Sequence, residues 1–327
     1  AGKRFEDIKI VSTGGGAAGI ACLNMLLKMG VKRENIWLCD IHGLVHEGRE
    51  IDMNPSKSAF AQPSELRTLD DVIAEADLFL GLSGPGVLKQ DHVRQMTQRQ
   101  PIVFALANPT PEILPDLVRE VAPDAIIATG RSDFPNQVNN VLCFPFIFRG
   151  ALDVRATAIN EEMKIAAAHA IAELARERVP DEVAAAYGVS HQFGEEYIIP
   201  APFDPRLMEV VSSAVAQAAM DSGVAQAPIA DFDEYRHKLK ARLNPTTAAL
   251  TNIYDLARAN PKPMVFAEAE EDVALRAAMA VSEGLPCGSL STLRGGTALG
   301  YGVPVATRGT RNAARRRCPD ALRRWQC

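Results

Sequence analysis

A chain of 327 residues, 47% of them hydrophobic and 23% charged, is long enough for two or three globular domains, so core size is not limiting. Its formal net charge of -5 argues against nucleic acid as the main partner, because phosphate binding usually requires a basic face. No apolar run approaches the roughly 20 residues that span a bilayer, and residues 1–10 do not form a signal peptide, so we expect a cytoplasmic protein without a membrane partner.

The first 150 residues alternate short apolar runs with segments of helical periodicity. This order predicts an α/β fold, a doubly wound parallel sheet of Rossmann type with right-handed crossovers. The predicted strands are 8–12, 35–40, 77–83, 102–107 and 125–129, and the predicted helices between them are 17–30, 69–76 and 88–97.

Beyond residue 150 the pattern becomes helical. We predict helices at 160–178, where Asn160 is the N-cap, and at 206–223, which Gly223 ends. Both are expected to cover the sheet, and the apolar run 143–148 is expected to pack in the core.

These patterns predict one domain followed by three further segments. The expected parts are a dinucleotide-binding domain with covering helices at 1–228, a helical connector at 229–262, the start of a second α/β module at 263–284, and a disordered tail at 285–327 that is rich in Gly, Arg and Cys.

A glycine-rich loop follows the first predicted strand directly. Gly14, Gly16 and Gly19 fit the pattern G-x-G-x-x-G, in which the glycines allow a tight turn, close approach of a pyrophosphate, and close packing of helix on strand. Asp40 ends the second predicted strand, about 20 residues further on, where an acidic residue binds the ribose hydroxyls. The motif and its setting predict dinucleotide binding rather than a purely structural turn.

The choice between NAD and NADP stays open at this stage. A carboxylate at Asp40 favours NAD, because it would repel a 2′-phosphate, but His42 and Arg49 follow in the next loop and would neutralise one. The six cysteines and the pair His42 and His46 have no spacing typical of a metal site, so we expect no metal ligand.

Several longer strings resemble the malic enzymes, specifically the bacterial type in which a malic enzyme module precedes a phosphate acetyltransferase module. The resemblance covers roughly residues 3–260, and 261–280 resembles the opening of the acetyltransferase module. The strings are "GGGAAG" (14–19), "CDIHGLVHEGR" (39–49), "MNPSKSAFA" (53–61), "FLGLSGPGVL" (79–88), "ALANPTPEI" (105–113), "ATGRSDFPNQVNNVLCFPFIFRGALD" (128–153), "ATAINEEMK" (156–164) and "EYIIPAPFDPRL" (196–207).

The resemblance implies oxidative decarboxylation of L-malate to pyruvate and CO2 with reduction of NAD(P), and it implies roles for individual residues. Ser83 would lie at the cofactor-facing end of its strand, and Asn108 would lie at the nicotinamide side near the substrate. Asn139 and Asn140 would contact malate or the nicotinamide ribose. The implied pyrophosphate loop consists of Gly14, Gly15, Gly16, Ala17, Ala18 and Gly19.

Chemistry supports these positions, but structural alternatives remain. Ligands of an open α/β sheet lie beyond the carboxyl ends of its strands, and a neutral amide donates hydrogen bonds without placing a charge beside the cofactor ring. An Asn before Pro109 is also a common turn residue, and the pair 139–140 would equally cap a helix. Arg131 would bind a substrate carboxylate or, at least as readily, form a salt bridge with Asp133.

The resemblance also implies what lies elsewhere. Malic enzymes carry the catalytic Tyr and Lys, and the carboxylates for Mg²⁺ or Mn²⁺, in a lobe before the glycine loop, whereas only 13 residues precede Gly14 here. We therefore expect no catalytic residue in this chain, weak NAD(P) binding, and no malate turnover by the chain alone. A homo-oligomer is also implied.

Two other hypotheses remain open. The chain would also suit another NAD-dependent dehydrogenase, or a catalytically inactive regulatory or oligomerisation module that senses a dinucleotide or acyl-CoA.

Overall fold

The computed structural model describes residues 1–97, 99–179 and 192–243, and beyond them the backbone of three short strands. The chain divides into two compact units, residues 1–239 and 240–327. Within the described ranges, every helix is too short or too polar to cross a lipid bilayer.

The first unit is built on a six-stranded sheet with the order β3-β2-β1-β4-β5-β6. All neighbouring strands are parallel except β3, which pairs antiparallel with β2 at one edge. The strand order reverses between β1 and β4, and such a switch point leaves a crevice at the carboxyl ends of the strands. The strands are β1 (Ile10–Thr13), β2 (Ile36–Asp40), β3 (Gly43–Leu44), β4 (Leu78–Gly81), β5 (Ile102–Ala105) and β6 (Ile126–Thr129).

Helices connect and cover these strands. Two short 3₁₀ turns, Arg33–Asn35 and Asn140–Leu142, accompany the α-helices. The α-helices are α1 (Ala17–Lys28), α2 (Pro55–Ser58), α3 (Leu69–Val72), α4 (Gln90–Gln95), α5 (Pro115–Arg119), α6 (Phe144–Asp153), α7 (Glu161–Arg176), α8 (Arg206–Asp221) and α9 (Phe232–Leu243).

The sheet is apolar on both faces. Alternate residues of a strand project to opposite sides, so Ile10 packs in one apolar cluster with Leu23 of α1, and Val11 packs in the other with Phe79. Strands buried on both faces are typical of parallel sheets covered by helices. The predicted Rossmann-like α/β class is therefore confirmed.

A third apolar cluster joins α6, α7 and α8, and α9 adds Tyr235 and Leu239 to it. Close approach of α6 to α8 depends on Gly150, since a Cβ there would lie 2.5 Å from the backbone oxygen of Ser212. The helices predicted at 160–178 and 206–223 are present as α7 and α8, and α8 packs against both α6 and α7. The apolar cluster that these helices share contains no strand residue, so the expectation that they cover the sheet is not met there.

The run 143–148 was expected to be buried, and for two of its phenylalanines this prediction is wrong. Phe144 is 64% exposed and Phe148 is 43% exposed. Leu152, one turn further along the same helix, is 65% exposed. Residues four apart share one side of a helix, and Gly150 turns the opposite side of α6 toward α8. An apolar run gives no information about which side of the helix faces solvent.

The other differences concern element ends. The predicted helix 69–76 is only one turn long. It begins with a capping box formed by Thr68 and Asp71 and ends at Val72, and Glu75 already has a left-handed φ of 59°. The short elements β3, α2 and α5 were not predicted, because two to five residues are too few to reveal a period.

Little of the second unit is described. Its three strands form a sheet with the order β7-β8-β9, parallel between the first pair and antiparallel between the second. The last two strands lie within the tail expected to be disordered, and the Gly-Gly pair between them in the sequence is a typical hairpin signal. The remaining parts of the predicted connector, module and tail lie outside the described residues, so those domain boundaries stay predictions. The strands are β7 (Met264–Phe266), β8 (Leu290–Arg294) and β9 (Thr297–Leu299).

Candidate functional site

The glycine loop between β1 and α1 is shaped by two tight backbone contacts. Gly14 has a φ of 105°, and a Cβ there would lie 2.2 Å from the backbone oxygen of Leu82. A Cβ at Gly19 would lie 2.0 Å from the backbone oxygen of Gly14. Since such distances are far inside van der Waals contact, both positions require glycine for the fold itself.

Gly16 differs from these two glycines. A Cβ at this position would meet nothing within 4 Å, and its φ of -80° suits any residue. Gly16 is the N-cap of α1, and no side chain caps that end of the helix. Uncapped N–H groups at a helix N-terminus attract anions, so the loop presents a ready phosphate site with open space in front of it.

An open cavity of about 690 Å³ lies against this loop at the carboxyl edge of the sheet. Its size is within the range typical of small-molecule and cofactor sites. Of the predicted site residues it brings together Gly14, Gly15, Gly16, Asp40 and Ser83, but not Asn108, Asn139 or Asn140. The complete lining is Thr13, Gly14, Gly15, Gly16, Cys39, Asp40, Ile41, Gly43, Asp52, Asn54, Lys57, Leu69, Ser83, Gly84 and Val87.

Asp40 ends β2 at the cavity wall, and its carboxylate is already fully engaged. Arg49 donates to both oxygens at 2.7 Å, Lys57 donates to Oδ2 at 2.9 Å, and the backbone N–H of His42 donates to Oδ1 at 2.9 Å. These four bonds use about all the acceptor positions of a carboxylate. Burial alone would raise the pKa of Asp40, but the bonds from Arg49 and Lys57 outweigh it and hold the pKa below its usual range.

Lys57 is the cation of this cluster that lines the cavity, and the sequence reasoning missed it. Its ammonium donates to Asp40 and, at 2.5 Å, to Asp52. Burial would lower the pKa of Lys57, but the bonds to Asp52 and Asp40 raise it, so the side chain stays charged. The available signal was Asn54 before Pro55, which is a typical helix start and places Lys57 in the first turn of α2.

Arg49 has a different position. Its Nη2 bonds to both oxygens of Asp40, and its Nη1 donates to the backbone oxygens of Gly43 and Leu44 in β3, each at 3.2 Å. Arg49 does not line the cavity. Arg49 therefore anchors the edge strand and neutralises Asp40, while Lys57 faces the space where a ligand would bind.

Ser83 follows β4 and reaches the cavity as predicted. Its hydroxyl donates to Thr13 Oγ1 at 2.8 Å, and its backbone N–H donates to Glu112 Oε1 at 2.8 Å. Glu112 is fully buried and was not singled out from the sequence.

None of the three predicted asparagines lines the cavity. Asn108 is exposed and precedes a cis peptide bond to Pro109. Asn139 caps the 3₁₀ turn by accepting from the N–H of Val141 at 3.0 Å, and Asn140 is exposed. The capping alternative is thus present for Asn139, and the ligand roles of all three stay predictions.

The loop after β6 is held by its own polar groups. Arg131 donates to both carboxylate oxygens of Asp133, at 2.8 and 2.6 Å, which is the loop-holding salt bridge considered above. Asn136, which sequence reasoning missed, is buried with a left-handed φ of 55°. Its amide donates to the backbone oxygens of Ile127 and Glu195 and accepts from the N–H of Ile198, so it joins β6 to the segment before α8.

The described ranges contain no group of three or more His, Cys, Asp or Glu side chains that would hold a metal ion. Cys39 lies in the cavity wall, but burial raises the pKa of its thiol to about 12, so it remains protonated and unreactive at neutral pH.

Comparison with known proteins gives an independent result. A family model described as "Malic enzyme, NAD binding domain" matches residues 1–187. The chain is 57% identical over 277 residues to an NADP-dependent malic enzyme of Salmonella typhimurium, covering 84% of this chain and 36% of that protein. It is 52% identical over 285 residues to an NAD-dependent malic enzyme of Rhizobium meliloti, covering 86% and 37%.

A solved structure gives the same result. The crystal structure of a malic enzyme from Pyrococcus horikoshii matches with a TM-score of 0.64 at 34% identity, over 77% of this chain and 57% of that one. The chain thus spans a little over a third of the length of the two bacterial relatives.

Proposed function

The chain belongs to the malic enzyme family, and from that premise we propose that it supplies the NAD(P) site and part of the substrate site for oxidative decarboxylation of L-malate to pyruvate and CO2. The observation that carries this proposal is the glycine loop at the cavity. An uncapped helix N-terminus, open space at Gly16 and a charged Lys57 suit a ligand with several phosphates.

We propose NADP as the preferred dinucleotide. Asp40 would repel a 2′-phosphate if its charge were free, but Arg49 pairs with both of its oxygens. Lys57 lies beside Asp40 at the end of β2, where the ribose of a bound dinucleotide is expected. Its ammonium now donates to Asp40 Oδ2 and to the backbone and side-chain oxygens of Asp52, whose side chain is 54% exposed. A 2′-phosphate would replace Asp52 as the partner of this ammonium, and NAD offers no group of equal charge.

When bound, the dinucleotide would supply the ring that accepts the hydride from C2 of malate. The part of this chain is then to orient that acceptor: the loop 14–19 holds the pyrophosphate, and Ser83 borders the nicotinamide half at the switch point of the sheet. Asn108, Asn139 and Asn140 are proposed to donate amide hydrogen bonds to malate or the nicotinamide ribose.

The family resemblance supports three further proposals. First, the reaction takes a divalent Mg²⁺ or Mn²⁺ ion, for which we assign no ligand among the described residues. Second, the protein is a homo-oligomer in the cytoplasm. Third, residues 263–284 begin a module of phosphate acetyltransferase type. Sedimentation of the protein would test the oligomeric state.

Titration calorimetry of the 327-residue chain with NADP⁺ and NAD⁺ tests the proposed site. We expect both to bind and NADP⁺ to bind more tightly. Gly16→Ala should abolish binding and lower the melting temperature only slightly: its Cβ would meet no protein atom within 4 Å and would enter the proposed ligand space, while alanine is a poorer N-cap than glycine. Gly194→Ala is the matched control, since its Cβ would meet only an ordinary contact at 3.9 Å. Absence of binding by the unmodified chain would contradict the proposal.

We expect the chain by itself to show no metal-dependent malate oxidation, and clear turnover in a spectrophotometric assay of NADPH formation would overturn that expectation.

A further inference from the structure

The buried carboxylate of Glu112 has no role in the glycine loop or in the cluster around Asp40. Glu112 is 0% exposed, and within the described part of the chain no Lys, Arg or His forms an ion pair with its carboxylate. Burying a carboxyl group without a cation is costly unless its oxygens accept hydrogen bonds. The bonds that Glu112 accepts therefore indicate what it is for.

Both oxygens accept from the backbone, and they accept from two different loops. Oε1 accepts from the N–H of Ser83 at 2.8 Å, just after β4, and Oε2 accepts from the N–H of Ala107 at 3.0 Å, just after β5. The Ser83 hydroxyl also lies 3.3 Å from Oε1 and donates to Thr13 at the end of β1. The carboxylate thus joins the ends of β4 and β5 directly, and the Ser83 hydroxyl connects them to the end of β1.

The space around the carboxylate is closely fitted. A Cβ on Gly81, the last residue of β4, would lie 2.5 Å from Cδ of Glu112 and 2.7 Å from Oε2. The strand therefore approaches the carboxylate as closely as glycine allows, so the two loops have little freedom to shift relative to each other.

These two loops carry the residues next to the nicotinamide half of the proposed ligand. Ser83 itself lines the cavity, and Ala107 immediately precedes Asn108. The adenosine half is bordered instead by Asp40 and Lys57 at the end of β2, with which Glu112 shares no hydrogen bond among the described residues.

We propose that Glu112 is a positioning residue that fixes the nicotinamide half of the dinucleotide site by holding the loops after β4 and β5 in one relative position. This inference rests on the proposed dinucleotide function. Both amides need an acceptor, so Gln cannot replace Glu: its Nε2 would face one N–H and leave that loop without its bond.

The test compares a whole ligand with its adenosine half. NADP⁺ and adenosine 2′,5′-bisphosphate are titrated into the unmodified chain, Glu112→Gln and Glu120→Gln, the last being an exposed glutamate near the same segment. We expect Glu112→Gln to weaken NADP⁺ binding about tenfold and to leave the bisphosphate affinity unchanged, because one loop bond is lost. Glu120→Gln should change neither.

The outcomes separate the two proposals. Equal weakening of both ligands by Glu112→Gln, or no weakening of NADP⁺, would overturn the positioning role. If the unmodified chain bound neither ligand, the dinucleotide function itself would fail.

A second measurement does not require the variant to fold. In the ¹⁵N-labelled unmodified chain, the amide resonances of Ser83 and Ala107 should move on addition of NADP⁺ and stay in place with adenosine 2′,5′-bisphosphate. Movement with both ligands, or with neither, would overturn the inference.

Discussion

Lys57 and Asp40 have opposite consequences for ligand choice although they form one ion pair. A free carboxylate at the end of β2 favours NAD, whereas the nearby His42 and Arg49 left the choice between NAD and NADP open in the sequence. The structure neutralises that carboxylate with Arg49 and adds an ammonium on the cavity side. The charge around Asp40 therefore depends on Arg49 and Lys57, which lie 9 and 17 positions further along the chain.

Replacement of Lys57 by Met removes the charge and keeps most of the side-chain volume. We expect the dissociation constant of NADP⁺ to rise about tenfold or more, because a charge-assisted bond to the 2′-phosphate is lost, and that of NAD⁺ to change far less. Calorimetric titration measures both. Lys164→Met, at a half-exposed pair with Glu161, is the control. Equal losses for the two dinucleotides would exclude Lys57 as the determinant.

Asp40 should make stability depend on pH at the acid end. Its pKa in the folded chain is below the reference value of 3.8, so its contribution is complete above that value and is lost as the pH falls through the lowered folded pKa. We expect urea unfolding of Asp40→Asn to vary less between pH 5 and 3 than that of the unmodified chain.

At neutral pH the same variant should be less stable by about 3 kcal/mol, because buried cations lose their partner. Asp91→Asn, at an 82% exposed side chain, should behave like the unmodified protein at both ends of the pH range. A steep acid dependence retained in Asp40→Asn would show that other carboxylates dominate.

Helix α6 shows how packing overrides local preference. Gly150 lies inside this helix, where alanine normally stabilises by about 1 kcal/mol. Here the added methyl would lie 2.5 Å from the backbone oxygen of Ser212 and 2.9 Å from Cβ of Val215. Neither atom is the end of a flexible side chain, so the contact outweighs the helical preference.

We therefore expect Gly150→Ala to lower the free energy of unfolding by about 1 to 3 kcal/mol. Chemical denaturation measures this value. Leu152→Ala, on the exposed side of the same helix, should stay within about 0.5 kcal/mol of the unmodified protein. Stabilisation by Gly150→Ala would mean that α6 and α8 separate more easily than their contact suggests.

The longer elements could be predicted from the sequence, and the short ones could not. The strands ending at Asp40 and Thr129 and the helices α1, α7 and α8 have clear periods and end signals, so their positions agree within a few residues. A two-residue strand such as β3 is held by long-range contacts with β2, Arg49 and the backbone of Arg67. Such tertiary causes leave no local pattern.

Within the site, the loop and the strand ends were predictable, whereas the charge network was not. Gly14 and Asp40 follow from spacing to the first two strands. The contacts of Lys57 with Asp40 and of Glu112 with Ser83 join residues 17 and 29 positions apart, and their geometry depends on the folded sheet. Sequence order alone does not reveal such contacts.

The whole molecule should tolerate removal of its second unit. The cavity lining and the three large apolar clusters described above lie within residues 1–239, and α9 contributes Tyr235 and Leu239 to the third of them. A chain ending at residue 243 should bind NADP⁺ with unchanged affinity.

A chain ending at residue 228, the predicted domain boundary, lacks α9 and should melt at a lower temperature. Thermal unfolding with and without NADP⁺ checks both truncations, since a ligand at 100 times its dissociation constant stabilises by about 2.7 kcal/mol. Equal melting temperatures for the two truncations would support the predicted boundary instead.

The unequal surroundings of the glycines have a consequence for how this loop would change over generations. Positions 14 and 19 are constrained by the polypeptide, so any descendant that keeps the sheet keeps them. Position 16 has room for a side chain, so under the proposed function it is the bound nucleotide that would exclude one there. A lineage that abandoned its nucleotide would first lose the glycine at this point, and a glycine still occupies it here.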